Sequence, residues 1–176
     1  MCIRDRFTAE QAGEAYTGFY AILGEEDRSV EAVNHLAKLC STEEELAQWT
    51  DIAAGVWATF GDSLPIEGLT EAANETAKTG TITGQLADAL NWAGVNEEAF
   101  QSALDGCSSE QERAALITDT LNGLYQEAAE NYKTLNGDVM EAQRAQALLK
   151  GLLFLLRWQK DPPPKRTARA HWRGRP

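Results

Sequence analysis

The chain predicts an all-α fold, a bundle of about eight helices joined by short loops, and three observations carry that prediction. Alanine, leucine, glutamate and glutamine abound while valine and isoleucine are scarce, which favours helix over strand. Apolar residues recur three and four apart, and the alternation of apolar strands and helices that a parallel sheet requires is missing. Helix starts are marked by Ser, Thr or Asn with Glu or Gln three places on, and helix ends by glycine.

Each element follows from those signals. Thr8 with Gln11 forms a capping box that opens a first helix, whose face is Ala12, Tyr16, Phe19, Tyr20 and Leu23 and whose stop is Gly24. Glu25, Glu26 and Asp27 suit the positive N-terminus of a second helix, which buries Val30, Val33, Leu36, Ala37 and Cys40. Ser41 with Glu44, or Thr42 with Glu45, caps a third that carries Leu46, Trp49, Ile52, Ala53, Val56 and Phe60. Gly61 ends it, Asp62 or Ser63 caps the next, and Pro65 belongs in that helix's first turn, where its missing N–H costs nothing. Leu69, Ala72, Ala73 and Thr76 continue to Gly80. Leu86, Leu90 and Ala93 mark a short helix to Gly94, and Asn96 caps another, with Phe100 and Leu104 inward, before Gly106.

Ser108 and Ser109 with Gln111 and Glu112 open the longest regular segment. Its stripe is Leu116, Ile117, Leu121, Leu124, Tyr125, Ala128, Ala129 and Tyr132. Asn136-Gly137 is expected to break it, with Asp138 and Glu141 recapping the chain. Residues 147–159 then turn apolar on all sides, a face that needs a partner surface, yet the run is too short to span a bilayer. Pro162-Pro163-Pro164 opens a basic tail, 160–176, expected to be disordered. At the other end, residues 1–6 read as a non-native leader, too polar for a secretory signal.

The net charge of −11 over 176 residues is uneven. Six basic residues against Asp161 give 160–176 a charge of +5, so the remainder carries −16. Such a body repels nucleic acid and anionic membranes and favours solubility. Cys2, Cys40 and Cys107 have no metal-type spacing, and reduced thiols are expected, with a Cys40–Cys107 bridge as the alternative.

Four words carry a resemblance: Trp49-Thr50-Asp51, Phe60-Gly61-Asp62-Ser63-Leu64-Pro65-Ile66-Glu67-Gly68-Leu69, Leu86-Ala87-Asp88-Ala89-Leu90-Asn91-Trp92-Ala93-Gly94 and Glu112-Arg113-Ala114-Ala115-Leu116-Ile117. In this order, over Asp51 to Asn136, the chain resembles the N-terminal part of the tail tape measure proteins of long-tailed bacteriophages. The resemblance covers about half the chain and implies a structural virion component of residues 7–146, with no catalytic, cofactor-binding or metal-ligating residues. Such proteins set tail length, take part in tail assembly and are ejected during DNA delivery. The implied partners are tail-tube and tail assembly chaperone proteins, with self-association a further expectation. The implied locations are the virion tail and, during assembly, the host cytoplasm. Past Gln146 the chain departs from the family, as a truncated or frame-changed gene would.

Two rivals come from other classes. Gly61-Asp62-Ser63-Leu64 is the motif of GDSL esterases, in which the serine is the nucleophile. Helical spacing precedes it where a strand should stand, and neither His35 nor His171 has an aspartate three places before it. The other rival is a helical adaptor. His35 and Cys40 lack a second ligand pair, and the Glu25-Glu26-Asp27 and Glu43-Glu44-Glu45 runs lack calcium-loop spacing, so no metal is expected. Trp49, Trp57 and Trp92 are assigned to the core. Lys165, Arg166, Arg169, Trp172 and Arg173 could follow a nucleic-acid backbone, but any basic tail looks the same, and nucleic acid is not an expected partner.

Overall fold

The computed structural model describes residues 7–160, with side chains through Leu153. Among these residues it holds seven α-helices and no strand. The order is α1 (Ala9–Leu23), α2 (Glu26–Leu39), α3 (Glu43–Phe60), α4 (Ile66–Thr79), α5 (Gly84–Trp92), α6 (Glu97–Asp105) and α7 (Glu110–Lys160). A 3-10 turn, Gly61–Ser63, links α3 to α4. The leader at 1–6 and the tail at 161–176 lie outside the described residues.

Local chemistry sets most boundaries. Thr8 accepts from the Gln11 N–H while the Gln11 side chain accepts from the Thr8 N–H, closing the expected box. Of the two candidates at α3, Thr42 with Glu45 forms the box, and the Glu45 carboxylate also accepts from the Ser41 N–H. Asn96 accepts from the Ala99 N–H and Ser109 from the Glu112 N–H. Gly24 and Gly80 end α1 and α4 in the left-handed conformation, at φ 69° and 77°, where a Cβ would be strained.

The core forms around α3 and the first half of α7, with α1 and α4 also packed on α7 and α2 packed on α4. Trp49 is fully buried, and its indole N–H donates to Thr118 Oγ1 at 3.0 Å, so the ring's one polar group is satisfied. Gly55 brings the two helices together: a Cβ there would overlap the Tyr125 carbonyl and lie 2.8 Å from the Tyr125 Cβ. Tyr125 OH reaches α5, donating to the Ala89 carbonyl at 2.6 Å. Arg113 on α7 donates to the Ala77 and Lys78 carbonyls at the end of α4, which the helix itself leaves without partners.

Several expectations are corrected. Asn136-Gly137 does not break the last segment. The chain continues as one helix of 51 residues, about 76 Å long at 1.5 Å per residue, and this merger turns eight helices into seven. The physical reason is that tertiary contacts hold α7 on both sides of the pair. Lys133 is paired with Asp51 before it, and Met140 is buried after it. The Asn136 amide donates back to the Tyr132 carbonyl at 3.1 Å. A glycine inside a helix costs only about 1 kcal/mol, which such contacts outweigh. Residues 147–159 continue α7.

Pro65 sits at the N-cap of α4 and not in its first turn, with φ −59° and an extended ψ of 125°. Ser63 is therefore two positions too early to cap and makes no side-chain hydrogen bond among the described residues. Val30 is exposed, because α2 turns Ser29, Ala32, Leu36 and Leu39 inward, and the small Ser29 hydroxyl is satisfied by the Glu25 carbonyl. Leu124 lies at the edge of the α7 stripe, half exposed, while Leu121 and Tyr125 take the buried places. Trp92 is 51% exposed and not core: it caps the Phe60 ring from outside, centroids 5.2 Å apart.

Candidate functional site

The turn between α3 and α4 holds the one sequence motif with catalytic precedent, Gly61-Asp62-Ser63-Leu64. Gly61 takes φ 54° and ψ −133°, a conformation that favours glycine and swings the chain out of α3. Leu64 and Ile66 then anchor it, both fully buried. Asp62 faces Arg28 of α2, with Nη1 3.1 Å from its carboxylate. The Arg28 Nε lies 2.9 and 3.0 Å from the two Glu67 oxygens, and its guanidinium stands 5.5 Å from the Trp57 ring centroid. Partial burial works against the charge on Arg28, but the hydrogen bonds it donates to Glu67 and Asp62 more than offset this and raise its pKa.

Ser63 is exposed, and among the described residues no base is hydrogen-bonded to it. His35 lies in α2 with a buried Nδ1 that has no hydrogen-bond partner, and no hydrogen bond joins it to Ser63. His171 falls outside the described residues, as do Lys165, Arg166, Arg169, Trp172 and Arg173. Asp62, the neighbouring carboxylate, is committed to Arg28. The arrangement fastens a turn: one guanidinium ties α2 to the end of α3 and the start of α4.

A second feature is a cleft of about 380 Å³ between α1 and α3, reached by Arg144 of α7. Its walls include Glu14, Glu43, Asp51 and the hydroxyls of Thr17 and Thr50. Several of its polar groups are already engaged, while no hydrogen bond or ion pair holds the Glu14 carboxylate or the Arg144 guanidinium among the described residues. Gln11 donates to Glu43 at 2.9 Å, Asp51 pairs with Lys133, and the two hydroxyls donate to the Glu14 and Leu46 carbonyls. The cleft offers acceptors and a guanidinium but no nucleophile paired with a base.

The acidic runs of the sequence act as helix starts. Glu45 is consumed by its capping box, and Glu26 and Asp27 lie exposed in the first turn of α2. Among the described residues no group of three or more His, Cys, Asp or Glu could hold a metal ion. Cys40 and Cys107 are both free thiols; burial pushes the Cys40 thiol pKa far up, with Glu45 adding to it. A buried thiol of that kind is an apolar filler and a poor nucleophile.

The third feature is the distal half of α7. Beyond Tyr132 the helix stays attached through Lys133, Met140, Ala147 and Lys150, the last donating to Tyr20 OH at 2.7 Å. Its remaining sides carry Leu135, Val139, Leu148, Leu149, Leu152 and Leu153, all exposed. Isolated apolar side chains are ordinary on a surface; here six of them lie along one helix, outside the bundle core. No helix among the described residues is long and apolar enough to cross a membrane.

The residues that fasten these parts, Arg28, Asp51, Arg113 and Lys133, carry no local sequence signal, since their partners lie 34 to 82 positions away. Comparison of the chain with protein-family models, curated proteins and solved structures finds no match.

Proposed function

We propose that this chain is part of a phage tail tape measure protein, a structural component in which residues 7–150 form a compact end unit and α7 leads away from it. The observation that carries this reading is where the four matching words sit. Trp49-Thr50-Asp51 lies in α3, Phe60–Leu69 spans the turn into α4, Leu86–Gly94 makes up most of α5, and Glu112–Ile117 opens α7. These elements bind one another: Trp49 to Thr118, Phe60 to Trp92, Tyr125 to Ala89 and Arg113 to Ala77. The resemblance therefore falls on one packed unit and not on scattered surface words. A bundle with an apolar helix emerging from it suits binding to tail-tube and tail assembly chaperone proteins more than turnover of a substrate.

The reading has a direct test in the phage that carries the gene. Antibody raised against residues 7–159 is expected to label one end of the virion tail. An in-frame deletion of residues 110–136 is expected to lower the yield of tails while leaving their length unchanged, because that stretch is buried in the bundle. Tails shorter by about 40 Å, the rise of the 27 deleted residues, would put the stretch along the tail axis instead. Virions without the antigen would remove the structural reading altogether.

A further inference from the structure

The exposed side of distal α7 has a repeat that its apolar content alone does not require. Leu135, Val139, Ala142, Gln146, Leu149 and Leu153 are spaced by four, three, four, three and four residues, the alternation of a coiled-coil seam. All six are exposed, Leu135 at 84%, Val139 at 56%, Leu149 at 58% and Leu153 at 64%. Met140 and Ala147, which bury α7 against the bundle, lie on a different side of the helix, so the seam is open along its length. It covers about 27 Å of helix.

We propose that the occupant of this seam is a second copy of the same chain, running antiparallel. The seam is its own complement when turned end for end about the level of Arg144. Leu135 then meets Leu153 of the other copy, Val139 meets Leu149, and Ala142 meets Gln146. Large apolar groups fall at both ends, and the small and polar positions coincide in the middle. A polar residue at such a central position fixes register and orientation at some cost in stability.

Charge selects the same direction. Outside residues 160–176 the chain carries −16. A parallel pair sets two acidic bundles side by side. The antiparallel pair instead places the stretch that holds the exposed Glu127 and Glu130 beyond Leu153 of the other copy, away from its own counterpart. Like-charge repulsion of this kind chooses orientation and suppresses the alternative. The pairing stands on the seam itself and not on the phage reading.

Sedimentation equilibrium of the full chain, from micromolar to sub-millimolar concentration, tests it. The expected result is a mass that rises from one chain toward two. The variant V139E/L149E is expected to remain at one chain throughout, with unchanged helicity and melting temperature at low concentration, because both side chains are exposed. A wild-type chain that stays single at every concentration overturns the proposal, and so does a variant that still pairs. Orientation is read by cross-linking in a background with Cys2 and Cys107 changed to serine. An oxidised mixture of Val139→Cys and Leu149→Cys chains is expected to give the mixed dimer, and neither chain alone to cross-link. Efficient cross-linking of Val139→Cys to itself would mean a parallel pair, and a dimer that cross-links in no combination would mean another face; either result overturns the assignment.

Discussion

The first half of α7 and its distal part share one backbone geometry and meet opposite surroundings. Ala114, Ile117, Thr118, Leu121 and Tyr125 are buried, and each polar group among them has a partner: Thr118 with Trp49 and the Ala114 carbonyl, Tyr125 with the Ala89 carbonyl. Beyond Tyr132 the buried positions thin to Met140 and Ala147, while Leu135, Val139, Leu148, Leu149, Leu152 and Leu153 face outward. The difference teaches that apolar content and core membership are separate properties of this helix. Its proximal half stabilises the bundle, and its distal part uses the bundle as a mount for a surface.

The sharpest way to break that comparison is to truncate one apolar side chain in each half. Ile117→Ala should destabilise the protein by about 2–5 kcal/mol, because it leaves a cavity in a packed core. Leu135→Ala at the same helix's exposed side should stay within about 0.5 kcal/mol in chemical denaturation at a concentration where the chain is single. Equal losses at the two sites would erase the distinction.

The α3–α7 contact comes next. A methyl group at Gly55 has no room against the Tyr125 backbone. Gly55→Ala should therefore cost about 1–3 kcal/mol, despite alanine's better helix propensity. Thermal unfolding measures this, and a stabilised variant would show that the helices do not approach as closely as described.

Tyr125 connects the same contact to pH. Burial pushes its phenol from 10.0 up to about 12. Between those values the unfolded chain has released this proton while the folded chain still holds it. Its contribution is therefore complete below pH 10 and is lost as pH rises toward 12. Tyr16 and Tyr132, also raised by burial, act in the same direction. Tyr125→Phe should cost about 1 kcal/mol near neutrality, through loss of the bond to Ala89, and should flatten the alkaline decline of the melting temperature. An unaltered alkaline slope would count against the burial of the phenol.

Much of the fold was legible because it is local. Thr8 with Gln11, Thr42 with Glu45, Asn96, Gly24 and Gly80 each act within a few residues of themselves, and each does what its type and spacing imply. What was not legible depends on contacts between distant elements. The Asn136-Gly137 pair is a turn signal on its own, and only Asp51 and the burial of Met140 make it helical. Trp92 has the composition of a core residue but ends a short helix over the outer face of Phe60. Around Ser63, the sequence shows that neither His35 nor His171 has an aspartate three places before it, but nothing in it signals Arg28, whose partners are set by the packing of α2 on α4.

Gly137 gives the smallest effect and a clean sign. It has a negative φ and open space around its Cα. Gly137→Ala should stabilise the protein by about 0.4–1 kcal/mol if α7 runs through it, whereas a helix stop there would make alanine unfavourable.

The most direct test of the single helix is hydrogen exchange, followed by mass spectrometry, across residues 114–160. Protection should be highest around Ile117 to Tyr125 and fall smoothly toward Lys160 as the bundle contacts thin out, with no minimum at Asn136-Gly137. A fast-exchanging island at 136–138, with slower amides on both sides, would show two helices and a hinge where one continuous helix is described.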